Sequence, residues 1–315
     1  MKALEVNSLT KYYGTTLGIE DITFSIEPGE IFGYLGPNGS GKTTTIRCVM
    51  GLLRCTSGEC RVLGQRVVAG HGTQHPRIGY LPGDFRIWRG PNADRSLRVL
   101  GALGDTRQAN ARRLQLADRL ELDLDRPVGD LSKGNRQKVG VIYAFQHHPD
   151  LLMLDEPTAG LDPLVRQVVL DLIREAAQAG AAVLLSSHDL TEIAATCSRA
   201  GILRKGRLVE LAPISTIIHQ GERRLRIWFG DGTAVPALPA GQVPGVRVIA
   251  REAGSLDLAY QGPVDPILKW LAQFPVDRIA TPETSLEEAF IQYYSEEANS
   301  GSAAPPRLPR RGDAP

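Results

Sequence analysis

The chain has 315 residues, room for one large domain and a smaller one, and 42% of them are hydrophobic, ample for a sizeable core. Its formal net charge of +1 argues against a strongly basic nucleic-acid binder, so no nucleic-acid partner is expected. No apolar run approaches the roughly 18–20 residues of a transmembrane helix, and MKALEVNSLT lacks the apolar core of a secretory leader; any membrane role is expected to come through a partner.

Residues 3–10 and 22–27 alternate or cluster apolar side chains as strands, with KYYG between them and a Pro28-Gly29 turn after them. Tyr13, just before Gly14, is a candidate to stack on a flat ring, although a tyrosine at a strand end is more often a packing residue. GEIFGYL is a short apolar run suited to a buried strand.

It runs directly into GPNGSGKTT, which fits G-x-x-x-x-G-K-[ST] with Gly36, Gly41, Lys42 and Thr43 at the fixed positions. Pro37, Asn38, Gly39 and Ser40 fill the variable places, and Thr44 follows. A phosphate chain wrapped by backbone N–H groups requires glycine wherever a Cβ would clash or φ must be positive. Lys42 can then reach the β- and γ-phosphates, and the Thr43 hydroxyl can sit on Mg²⁺. TTIRCVMGLL reads as a helix whose N-terminus points at the anion. A strand, a glycine loop and a helix in this order make a nucleotide site.

CTSGECRVLG continues as a turn and a strand. Four cysteines are too few for a disulfide scaffold and fit a reducing cytosol. Cys55, Cys60, His71 and His75 have a C-x4-C-x10-H-x3-H spacing close to a zinc-finger rhythm. The intervening VLGQRVVAGHG has no apolar helix to present paired histidines, so small core cysteines and solvated loop histidines are expected instead.

From about 84 to 146 the character changes to helical patterns rich in Arg and Leu, such as DRSLRVLGALG and ANARRLQLADRLEL, which predict a helical subdomain. Leu131-Ser132-Lys133-Gly134 looks like a helix start, with Ser132 and Gly134 leaving backbone donors open. LLMLDEPTAGLDP then gives a buried strand ending in two adjacent carboxylates, Asp155 and Glu156. Acids at the carboxyl end of a parallel strand sit where ligands lie in doubly wound sheets. Asp155 would hold the Mg²⁺ shell, and Glu156 would orient or deprotonate water.

Asp162-Pro163 is an N-cap followed by proline at the first helical position, and the helix runs to Gly180. AAVLLSSH is another buried strand, ending at His188, which could contact a γ-phosphate. ILRKGRLVEL predicts a hairpin over Lys205-Gly206. The pattern restarts near residue 213. RRLRIWFG, VRVIA and LDLAY read as strands, VDPILKWLAQF as a helix, and VDRIATPE with SLEEAFIQYYSEEA as a strand–helix pair. The domains expected are therefore 1–212, a small α+β domain at 213–298, and a Pro-, Gly- and Arg-rich tail at 299–315 that cannot bury surface and is expected to be disordered.

Over residues 3–212 the chain resembles the ATP-binding cassette (ABC) ATPases. The resemblance rests on Tyr13, GPNGSGKTT, LSKGN, LLMLDEPT, AGLD and His188 in that order. It implies an α/β P-loop NTPase core, a mixed sheet with an antiparallel β-subdomain and a helical subdomain. It also implies ATP and Mg²⁺ as cofactors, with Tyr13 stacking on adenine and Gly36–Thr44 holding phosphates and metal. Asp155 would support the metal, Glu156 would be the catalytic base, and His188 would hold the γ-phosphate and the attacking water. Leu131–Asn135, including Ser132 and Gly134, would act in trans across a head-to-tail cassette dimer, homomeric or heteromeric, with Asp162 in the loop crossing that interface.

Two departures stand out. Gly83 in GYLPGDF occupies a position where the family usually has a glutamine, and the signature reads LSKGN where LSGGQ is commonest. LSKG and the closing TPETSLEEAFIQYY resemble the type-two or drug-resistance exporters. That resemblance implies an ATPase subunit on the cytoplasmic face of the membrane, bound to a separate membrane-spanning permease subunit. Phe85, Ile87 and Trp88 would then form a docking groove for that subunit, the alternative being that they pack into the helical subdomain's own core. The alternatives are a soluble ABC ATPase of translation or DNA maintenance, an importer cassette, or a module that binds ATP without turnover. The single phosphate loop, the lack of heptad runs, the LSKG signature and the intact Lys42, Asp155, Glu156 and His188 set favour the exporter.

Overall fold

A computed structural model describes residues 1–70, 77–87, 92–101, 106–220, 223–230, 235–236, 245–260 and 262–281. The chain opens with a hairpin of β1 (Leu4–Tyr13) and β2 (Thr16–Ile26). After Pro28-Gly29, β3 (Ile31–Leu35) leads through the glycine loop into α1 (Lys42–Val49). β4 (Ser57–Val62), β5 (Gln65–Arg66) and β6 (Ile78–Leu81) follow. Three helices come next, α2 (Ala93–Gly101), α3 (Thr106–Arg119) and α4 (Lys133–Phe145). Then come β7 (Leu151–Asp155), α5 (Pro163–Gln178), β8 (Ala182–Ser187), α6 (Leu190–Thr196), β9 (Arg199–Arg204), β10 (Arg207–Pro213) and α7 (Ile214–Gln220).

These elements build two sheets. β3 pairs in parallel with β8 and β9, β7 with β8, and β6 with β7; only β10, antiparallel to β9, breaks the pattern in the order β10-β9-β3-β8-β7-β6. Every residue of β3, β7 and β8 is buried, which is why these strands read as continuous apolar runs rather than alternating ones. The second sheet is antiparallel, β2-β1-β4-β5. Phe24 of β2 stacks on Phe32 of β3 with ring centroids 5.1 Å apart, joining the two sheets in one core. Full burial of one such side chain contributes about 1.5–3 kcal/mol.

The first two strands do not stop at 10 and begin at 22; they run to Tyr13 and from Thr16, taking in KYYG and its flank. Register shifts between Leu9 and Lys11 and between Lys11 and Tyr12 break the two-residue alternation, so the strands are hidden from a periodicity reading.

The chain divides into two compact units, Met1–Ile217 and Ile218–Pro315. In the second, β11 (Arg223–Phe229), β12 (Val246–Glu252), β13 (Ser255–Tyr260) and β14 (Val276–Ala280) form an antiparallel-paired sheet in the order β12-β13-β11-β14. α8 (Asp265–Leu271) closes its core with Ile267, Trp270 and Leu271. The helix expected over SLEEAFIQYYSEEA, the tail at 299–315, and His71 and His75 all lie outside the described residues. Cys60 is buried in the core of the first unit, where burial pushes its thiol up to about 11; Cys55 is half-buried.

Candidate functional site

The glycine loop follows the central strand β3, at the carboxyl edge of the parallel sheet. Its glycines are there for separable reasons. A Cβ at Gly36 would stand 2.4 Å from Ser40 Oγ and 2.5 Å from the Leu203 carbonyl oxygen, so only glycine fits. Gly39 has open space but a φ of 80°, and Gly41, with φ 112°, would also press a Cβ to 2.6 Å from Ile19. The loop is buttressed from outside by the hairpin between β9 and β10. Lys205 and Gly206 have φ of 46° and 82°, as a two-residue hairpin turn requires, and the Gly206 N–H donates to the Ser40 carbonyl at 2.9 Å. Pro37, Asn38, Gly39, Gly41, Lys42, Thr43 and Thr44 line a cleft of about 610 Å³, which Gly36 and Ser40 of the same loop do not face.

Tyr13, Asp155 and Glu156 line the same cleft. Tyr13 is half exposed, its hydroxyl 3.3 Å from Thr44 Oγ1, and a Cβ on Gly18 would meet its ring at 2.8 Å. The Lys42 ammonium donates to the Gly36 carbonyl at 2.6 Å and lies 3.6 Å from Glu156 Oε1. Thr43 Oγ1 donates to Asp155 Oδ2 at 2.6 Å, and Ser186 Oγ donates to Asp155 Oδ1 at 2.9 Å. Asp155 is therefore clamped on both oxygens at the end of β7, and it is only 1% exposed.

Glu156 leaves that strand with φ 53°, a conformation that costs a non-glycine residue on the order of 1–3 kcal/mol. It is held there from two sides. Its N–H donates to the Ser186 carbonyl at 3.0 Å, and its carbonyl accepts from Gln137 Nε2 at 3.1 Å. The strained backbone turns the carboxylate toward His188, whose Nδ1–H donates to Oε2 at 2.7 Å. The other oxygen, Oε1, is buried without a hydrogen-bond donor. The charge it faces is the Lys42 ammonium at 3.6 Å, and an ionised carboxylate at this place is a group that can orient water or accept its proton.

The other expected residues lie elsewhere. Ser132, Gly134 and Asp162 are not among the cleft's walls. Ser132 caps α4, its Oγ accepting from the Asn135 N–H at 3.2 Å. Gly134 backs onto Gly160, whose carbonyl oxygen would be 3.0 Å from a Cβ. Asp162 caps α5 and accepts from the N–H groups of Leu164 and Val165; the bond from Val165 leads in holding its carboxyl below the usual range.

Gly83 reaches the cleft beside Asp155, and a Cβ there would stand 3.3 Å from Asp155 Oδ2. Asp84, the next residue, also lines the cleft and pairs with Arg47 at 3.3 Å. Phe85 is half-buried against α4, its ring centroid 6.4 Å from that of Tyr143, and with Ile87 it lines a groove of about 540 Å³; Trp88 lies outside the described residues.

Ser186 and Gln137 hold the acidic pair in place without standing out as site residues in the sequence. Ser186 carries a visible signal, since polar residues inside a buried strand run such as AAVLLSSH need a partner. Gln137 carries none: one more polar residue in an ordinary helix.

A glycine loop between a central parallel strand and a helix, facing an acidic strand end, defines a P-loop nucleotide hydrolase. Residues 19–159 match the family profile described as ABC transporter. An ABC transporter ATP-binding protein of Methanocaldococcus jannaschii is 34% identical over 226 residues, covering 69% of this chain and 80% of that protein. The bacitracin transport ATP-binding protein BcrA of Bacillus licheniformis is 31% identical over 298 residues, 92% of this chain and 96% of its own length. A solved ATP-binding subunit of an ABC transporter superposes with a TM-score of 0.65 at 30% identity, over 69% of this chain and 92% of that one. The chain belongs to the ABC transporter ATP-binding family. It is an ATP-binding and ATP-hydrolysing subunit of the exporter type.

Proposed function

We propose that this subunit hydrolyses MgATP in the cleft at the glycine loop. Hydrolysis would drive export through a separate membrane-spanning permease subunit at the cytoplasmic face of the membrane. The observation that carries the catalytic reading is Glu156, at the end of β7 beside the glycine loop, 2.7 Å from His188 and with its second, buried carboxylate oxygen 3.6 Å from the Lys42 ammonium. Glu156 acts as the base or water-positioning group and His188 orients it. Tyr13 stacks on the adenine ring, and Gly36 to Thr44 with Lys42 hold the phosphates. Ser132, Gly134 and Asp162, away from their own cleft, serve the cleft of a second cassette.

The donor set also fits Mg²⁺. The Thr43 hydroxyl and the Asp155 carboxylate are adjacent hard oxygens at the phosphate end of the cleft, the ligand type this cation takes. They would hold it, and when bound it would neutralise charge on the β- and γ-phosphate oxygens.

Chelation with EDTA is expected to abolish ATP turnover. Asp155→Asn should raise the Mg²⁺ concentration needed for half activity by about tenfold or more, in the range found when metal-site support is removed. An Mg²⁺ activation curve unchanged in the variant would overturn the metal assignment.

A further inference from the structure

Behind the catalytic pair lies a buried polar cluster that none of the roles above uses. Glu192, on α6, is 4% exposed, and its Oε2 accepts from Thr158 Oγ1 at 2.9 Å and from Ser187 Oγ at 3.2 Å. Ser187 Oγ in turn accepts from the Asp189 N–H at 2.9 Å, so the hydroxyl spans the backbone on both sides of His188. Thr158 is two residues beyond Glu156 and is itself 4% exposed. One carboxylate therefore ties the segment carrying Glu156 to the segment carrying His188. A third element joins through Arg166 of α5, with Nε 3.4 Å from Glu192 Oε1 and Nη1 3.1 Å from Asp189 Oδ2.

Such an arrangement is expensive for stability alone. Burial pushes the Glu192 carboxyl above its usual range, against the hydrogen bond from Thr158 and the charge of Arg166, and an apolar residue would fill the same space without that desolvation cost. What the carboxylate supplies that an apolar side chain cannot is direction, two fixed acceptor bonds at once, one to the turn after β7 and one to the end of β8.

We propose that Glu192 is a positioning residue for ATP hydrolysis, holding Thr158 and Ser187 so that Glu156 and His188 stay within hydrogen-bonding distance, and linking that distance to the placement of α5 through Arg166. The inference rests on Glu156 and His188 acting as the catalytic pair. Displacing either by a fraction of an ångström degrades alignment, and misplacement of about 1 Å can lower a rate on the order of a hundredfold.

The test compares Glu192→Ala, Glu192→Gln and Thr158→Val with Glu156→Gln in the full chain, measuring steady-state ATP hydrolysis, ATP affinity and melting temperature. Glu192→Ala should lower kcat about ten- to hundredfold with KM for ATP within about twofold of the parent, because the nucleotide contacts are untouched. Glu192→Gln, which keeps an acceptor at the same place, should recover most of that loss. Thr158→Val removes one arm while preserving shape; it should lower kcat in the parent but add nothing to Glu156→Gln, since both act through one group. Should Glu192→Ala fail to fold, Thr158→Val with its non-additivity decides alone. Parental kcat in Thr158→Val and Glu192→Ala, with Glu156→Gln inactive, would overturn the inference and leave the catalytic pair standing. Full turnover by Glu156→Gln would instead overturn the pair itself.

Discussion

Glu156→Gln is expected to bind ATP as the parent does and to hydrolyse it about a hundred- to ten-thousandfold more slowly, the range for loss of a general base. The exchange keeps the shape of the side chain. It also keeps an acceptor for His188 Nδ1–H, now at 2.7 Å, so the histidine need not move. What it removes is the capacity of the buried second oxygen to take a proton, together with the charge that faces Lys42 across 3.6 Å. Binding without turnover should also hold the cassettes together around uncleaved ATP, visible as a nucleotide-dependent dimer by size-exclusion chromatography. Hydrolysis at a near-parental rate would remove Glu156 from the catalytic role.

Lys42→Ala should fail at an earlier step. Its ammonium is almost fully buried and is satisfied by the Gly36 carbonyl at 2.6 Å and the Pro37 carbonyl at 3.4 Å, with Glu156 beyond. Phosphate oxygens would replace part of that set. A hydrogen bond to a charged group contributes roughly 1.5–3 kcal/mol, so its loss should weaken ATP binding about ten- to hundredfold. Titration of the variant with a fluorescent ATP analogue measures this directly, and unchanged affinity would contradict the placement of the phosphates. The two variants thus separate binding from chemistry in one cleft.

The parts of this molecule that were legible in the sequence are those fixed by local backbone demands. Gly36 and Gly41 answer to steric and dihedral constraints that only glycine meets, so the loop is written in residue types at fixed spacing. β3, β7 and β8 are buried throughout and therefore appear as apolar runs, β7 and β8 with their polar residues at the carboxyl end. Lys205-Gly206 and the caps at Ser132 and Asp162 are readable for the same reason: short-range chemistry.

What stayed hidden depends on partners distant in sequence. β1 and β2 lose their alternation to register shifts, which only the paired strand reveals. Ser186 matters because it meets Asp155 from 31 residues away, and Gln137 because it caps carbonyls 19 and 20 residues on. Gly83 was visible as a missing glutamine, but its position against Asp155 was not.

The central claim is that each ATP is hydrolysed between the glycine loop of one cassette and the signature helix of another. Ser132 is exposed, caps α4 and takes no part in lining its own cleft, so Ser132→Arg should leave nucleotide binding to the same subunit intact while blocking hydrolysis. Mixing this variant with Lys42→Ala gives dimers in which one site takes its glycine loop from the first and its signature from the second, both unmutated. The measurement is ATPase activity across mixing ratios, with heterodimer formation followed by native mass spectrometry. Each variant alone is predicted to be inactive, and the mixture to regain activity in step with the heterodimer. Heterodimers that form and remain as inactive as either parent would contradict the composite site.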